Sequence, residues 1–232
     1  FNDTEKNPLL KNGGAEETLK VCDNTGISVN TICADYFIEA PLHAIDESVA
    51  IKSKEILISL SGTSSKLGVT DIKIPCVDQS SLDTKESVDR FINQIQSILP
   101  DAERKEINLS LETDLAPQPF ADLLCKFDSN RITVNYDIGN SAALGYDPME
   151  EFDAYGNLVT DIHVKDRELN GGPVILGRGN ADFDKFFKKL KEVDFKGPFI
   201  FQAYRDDEGI EIFKKQLNWM TPYFNILVDD IA

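Results

Sequence analysis

The segment ITVNYD, residues 132–137, decides how the chain is read. Side chains alternate across a strand, so Thr133, Asn135 and Asp137 share one face while Ile132, Val134 and Tyr136 share the other. The same division recurs on either side of it. Residues 107–112 set Asn108, Ser110 and Glu112 against Ile107, Leu109 and Leu111, and residues 161–165 set Asp161, His163 and Lys165 against Ile162 and Val164. An open parallel sheet covered on both faces would show continuous apolar runs. Strands with one apolar and one polar face fit a barrel, the apolar face against helices and the polar face toward an interior that carries a site.

Working outward, strand-like runs alternate with helix-period stretches along the whole chain. Strands are expected at residues 27–34, 69–75, 107–112, 132–137, 161–164 and 199–202. Helices are expected at 14–24, 46–60, 84–99, 119–127, 147–155, 182–193 and 207–227. Alternation without hairpin signals means parallel strands joined by crossover helices. The fold class is therefore α/β, a TIM-type (β/α) barrel with about six of the usual eight strands. A smaller open six-stranded domain is the alternative. No Pro/Gly/Ser tract or charge block divides the chain, so residues 1–232 read as one domain. A start at Phe1, in a loop ahead of a helix, suggests that a first strand–helix–strand is missing.

With 24 Lys and Arg against 40 Asp and Glu, the net charge is −16. That field repels nucleic-acid phosphates and anionic lipid, so neither a nucleic acid nor a membrane is expected as partner. No apolar run approaches a membrane span and nothing at the start resembles a signal peptide, so the chain reads as cytoplasmic. Cys22, Cys33, Cys76 and Cys125 form no C-x-x-C pair and read as reduced, buried thiols. The sequons at Asn2 and Asn108 are at chance level, Asn108 falling in an expected strand. His43, in PLHAID, lies off the strand ends and reads as an ordinary loop residue.

Barrel chemistry sits at the C-terminal ends of strands. Those ends are Asp35, Glu112, Asp137, His163 and Gln202. The last four come from consecutive strands and offer two carboxylates, an imidazole and an amide. Oxygen-rich ligands with one imidazole suit Mn²⁺, Mg²⁺ or Co²⁺, and Zn²⁺ is compatible.

Several segments carry a resemblance. NYDIGNSAALGYD (135–147), IHVKDR (162–167) and LGRGNADF (176–183), with LETDL (111–115) and ICADYF (32–37), resemble the sugar phosphate isomerase/epimerase family of the xylose-isomerase-like barrel superfamily. The likeness runs from about Asn7 to Tyr204, and family members usually begin with one further strand–helix–strand. It implies a divalent metal held by Glu112, Asp137, His163 and Gln202, acting on a sugar or sugar phosphate through an enediolate. Better-known epimerases place a second Glu where this chain has Gln202, and an amide cannot take up a proton near neutral pH. A one-base aldose–ketose isomerase follows, with Glu112 moving the proton and Lys165 the second expected catalytic group. Asn140, Ser141, Lys165 and Arg167 are candidates for touching substrate, and Asp166 for orienting its neighbours. Gly177 and Arg178, in the loop between the last two strands, are candidates for phosphate. The alternatives are an inosose-dehydratase-like lyase and a non-catalytic metabolite-binding barrel. Apurinic endonuclease chemistry would need more histidines and a basic face. The sequence leaves homo-oligomerisation open.

Overall fold

A computed structural model describes residues 6–207 and 209–228; the sequon at Asn2 lies outside them. Within them run the strands β1 (Thr31–Cys33), β2 (Asp71–Cys76), β3 (Asn108–Thr113), β4 (Ile132–Asp137), β5 (Val159–Val164) and β8 (Phe199–Phe201), with β1, β2 and β3 parallel to one another and β4, β5 and β8 likewise. A short antiparallel ribbon, β6 (Asp166–Arg167) and β7 (Pro173–Val174), was not foreseen from the sequence. The helices are α1 (Gly14–Thr25), α2 (Tyr36–Glu39), α3 (Glu47–Leu67), α4 (Lys85–Lys105), α5 (Pro117–Leu124), α6 (Ile138–Leu144), α7 (Pro148–Tyr155), α8 (Phe183–Glu192) and α9 (Ile210–Val228). No described helix is long and apolar enough to cross a membrane.

The chain divides into two compact units, residues 1–115 with 122–133, and residues 116–121 with 134–232. In the first unit β1, β2 and β3 lie side by side, with Lys73 paired to Ser110 and Pro75 to Glu112. Ile72, Ile74, Leu109 and Leu111 form the apolar face and pack among Leu57, Leu60, Phe91, Ile95 and Ile98, all buried. Local chemistry sets the helix starts. Asp46 accepts from the Ser48 N–H ahead of α3, and Thr84 and Ser87 form a reciprocal capping box at α4. The expected strand at 27–34 shrinks to the three residues Thr31–Cys33, paired with Asp71–Lys73 of β2.

In the second unit β4, β5 and β8 are adjacent and parallel. A bulge after Val134 shifts the register, so that Asp137 lies opposite His163. On the apolar side Tyr136 stacks on Phe186 (ring centroids 5.2 Å apart, 12° between planes), and Phe152, Phe183, Phe187, Leu190 and Met220 complete the core. Each such side chain removed from water contributes roughly 1.5–3 kcal/mol.

One carboxylate lies inside this core. Glu151 accepts from the hydroxyls of Tyr136 (2.6 Å), Tyr155 (2.9 Å) and Ser141. Burial is the largest influence on it and, despite the three donors, holds its carboxyl above the ordinary value near 4.5. A carboxyl raised on folding contributes stability that is complete below its unfolded pKa and is lost as pH rises through the folded one. Glu151→Gln, which cannot ionise, should therefore gain on the wild type as the pH is raised from about 4.5, read as a shift in the difference of urea midpoints. A difference that stays flat over that range would mean the carboxyl titrates normally.

Candidate functional site

In the second unit the sequence stretch DIGN (137–140) is explained atom by atom. Asp137 ends β4 and caps α6, its Oδ1 accepting the Asn140 N–H at 2.8 Å. Its Oδ2 lies 3.5 Å from Lys165 Nζ and 3.9 Å from His163 Nδ1. Gly139 passes directly over Lys165: a Cβ there would stand 2.7 Å from the Lys165 Cγ. Asn140 then reaches across, its Oδ1 accepting from Lys165 Nζ at 3.2 Å and from Arg167 Nη1 at 2.9 Å. Arg167 is held a second time by the Gly171 carbonyl, which accepts from Nε (3.0 Å) and Nη2 (2.8 Å). Five residues singled out in the sequence, Asp137, Asn140, His163, Lys165 and Arg167, thus come together.

Ser141, Gly177 and Arg178 have other surroundings. Ser141 turns to the core side, its hydroxyl bonded to Glu151 and Tyr136. The Gly177 and Gly179 N–H groups both donate to Oδ2 of Asp166, at 2.9 and 2.8 Å, and the Ala181 N–H donates to Oδ1 at 3.1 Å. Asp166 is fully buried, so the loop wraps a carboxylate of its own chain. The glycines are needed for close approach: a Cβ on Gly177 would meet the Trp219 ring at 2.4 Å, and one on Gly179 would meet Asp166 Oδ1 at 2.3 Å. Arg178 is exposed. Gln202 is half-buried just beyond β8, its N–H donating to the Val164 carbonyl at 3.1 Å.

The first unit holds a cluster whose central member sequence reasoning missed. Lys73 Nζ lies 2.5 Å from Glu112 Oε2 and 3.4 Å from Asp35 Oδ1, and the Cys33 thiol donates to Asp35 at 2.9 Å. The Lys73 and Glu112 side chains are only 6% and 5% exposed. Burial pulls the ammonium pKa down, but the Glu112 charge, its hydrogen bond and Asp35 outweigh that and hold it well above the ordinary lysine range. The parity rule would have found Lys73, since it alternates with Ile72 and Ile74.

His43 lies in the loop between α2 and α3, as expected, and is buried there edge-on against Phe91; burial together with Arg90 holds its imidazole below the ordinary range. One expectation is corrected. All four cysteines are free, but only Cys76 is buried; Cys22 is half-buried, and Cys33 and Cys125 are exposed.

Among the described residues no three His, Cys, Asp or Glu side chains are grouped as an ion-binding set. Within the second unit Asp137 and His163 still fit as two donors of one, since they are buried, paired in register and of oxygen and imidazole type.

The model of the family described as xylose isomerase-like TIM barrel matches residues 2–223. The chain belongs to that family. Among curated relatives, L-ribulose-5-phosphate 3-epimerase UlaE of Escherichia coli O1:K1 / APEC is 24% identical over 208 residues, covering 84% of this chain and 72% of the relative. The crystal structure of a D-tagatose 3-epimerase-like protein superposes with a TM-score of 0.79 at 18% identity, covering 96% of this chain and 86% of its own. That of IolI protein with a zinc atom superposes with a TM-score of 0.67 at 16% identity, covering 90% and 93%. The strand-face division read from the sequence therefore belongs to a barrel fold.

Two substitutions test these local arrangements. Lys73→Met removes the ammonium from beside a buried carboxylate and should cost about 3–5 kcal/mol, most of it recovered in the Lys73→Met/Glu112→Gln double variant. Equal losses in single and double variants in denaturant titrations would show that the pair is not coupled. Gly139→Ala drives a methyl into Lys165 and should cost about 1–3 kcal/mol by the same assay, and an unchanged midpoint would contradict the close approach.

Proposed function

We propose that the chain is a divalent-metal-dependent isomerase or epimerase of a sugar or sugar phosphate. The observation that carries this reading is the buried Asp137–His163 pair, set opposite each other in register at the C-terminal ends of parallel strands, with Lys165 beside it. Family membership supports it, as do the name of the epimerase relative and the zinc in the IolI structure. The proposed ligands are Glu112, Asp137, His163 and Gln202. Mn²⁺, Mg²⁺ or Co²⁺ suits that donor set, and Zn²⁺ is compatible. When bound, such an ion would polarise the substrate carbonyl and favour loss of the neighbouring proton.

The chain's own groups would do the rest. Glu112 takes the proton beside the carbonyl, and Lys73 fixes which of its oxygens is engaged, through the ion pair at Oε2. Lys165 donates toward a substrate oxygen, held in place by Asn140 and by the packing over Gly139. Gln202 has no exchangeable base, which favours return of the proton by Glu112 to the neighbouring carbon of the same face.

The reading is tested by incubating the Mn²⁺-loaded chain with L-ribulose 5-phosphate in D₂O. The expected result is deuterium at a carbon next to the carbonyl in an isomeric product, lost by about 10²-fold or more in Glu112→Gln. Loss of water from the substrate would point to a lyase, and absence of any exchange would remove the enzymatic reading.

A further inference from the structure

We infer that Lys165 and Arg167 together form a subsite for the phosphate of a phosphorylated sugar, and that the glycine loop 177–181 is not that subsite. The inference rests on the proposed sugar chemistry but names the substrate class and the group that anchors it.

A guanidinium carries five N–H groups. Arg167 uses three of them: Nε and one Nη2 hydrogen on the Gly171 carbonyl, and one Nη1 hydrogen on Asn140. One N–H remains on each terminal nitrogen, the pair able to take two oxygens of one phosphate. Lys165 has three N–H groups, of which one goes to Asn140, and its side chain is 19% exposed.

Lys165 and Arg167 both donate to a single, neutral amide oxygen, which brings two like charges together. One carboxylate, Asp137, stands beside Lys165 at 3.5 Å. Arg167 makes no ion pair among the described residues. In a chain of net charge −16, two fixed cations sharing one neutral acceptor are a local exception, and a bound anion would offset their repulsion. A phosphate dianion supplies the charge and enough acceptors for the spare donors.

The loop offers no competing cradle. Its glycine amides already donate to the buried Asp166, and room for a Cβ at Gly179 is taken up by that same carboxylate.

The test is calorimetric titration of the whole chain with inorganic phosphate, then with L-ribulose 5-phosphate and with L-ribulose. Phosphate should bind, and Lys165→Met and Arg167→Met should each weaken it about tenfold or more, while Arg178→Ala leaves it within about twofold. Should Arg167→Met unfold, Asn140→Asp serves instead. It keeps an acceptor for both cations but adds a negative charge, and should weaken phosphate by about tenfold as well. No phosphate binding by the wild type, or a loss in Arg178→Ala that Arg167→Met lacks, overturns the inference. Binding is read without turnover, so it can hold where no isomerase activity is found. Equal affinity for L-ribulose and its 5-phosphate would sink the subsite and leave the reaction reading standing.

Discussion

The second unit depends on the two oxygens of Asp137 doing different work. Oδ1 starts helix α6 by capping the Asn140 N–H, and Oδ2 faces Lys165 and His163. Because the helix starts there, Gly139 crosses Lys165 at a distance no other residue allows, and Asn140 arrives where it can hold Lys165 and Arg167 at once. A cap is ordinarily worth about 1 kcal/mol. Here it also fixes the relative placement of an acid, an imidazole and two cations.

The buried polar faces carry an electrostatic burden that only pairing makes tolerable. Desolvating a carboxylate or an ammonium costs several kcal/mol per ion, and the attraction of the partner offsets this only with close geometry. Lys73 and Glu112 meet that condition at 2.5 Å. Asp166 meets it differently, with three backbone N–H groups around one carboxylate. An apolar face of the same volume would cost less to bury.

Alternation along β3, β4 and β5 was legible because each strand has its apolar residues on one parity, and from it followed the parallel strands and the placement of Glu112, Asp137 and His163 on their polar faces. The same rule placed Lys73 in plain view between Ile72 and Ile74, where attention to strand ends alone passed it over. Other features were not readable. Helix α6 is only two turns long, too short for a period to emerge from IGNSAAL. The glycines of GRGN look like a phosphate loop because sequence shows which amides are available, not that Asp166 already binds them. Ser141 follows Asn140 directly, yet the helical turn sends its hydroxyl to Glu151 in the core. Periodicity cannot register such partners, which come from other elements.

If Asp137 and His163 are metal ligands and not a structural pair, the folded chain binds Mn²⁺ through them. Titration of the whole chain with Mn²⁺, followed by the paramagnetic resonance of the free ion, tests it without any substrate. One tightly bound ion is expected, lost in Asp137→Ala and in His163→Ala while circular dichroism shows the chain still folded. A bound ion that survives both substitutions, or no binding by the folded wild type, would contradict it.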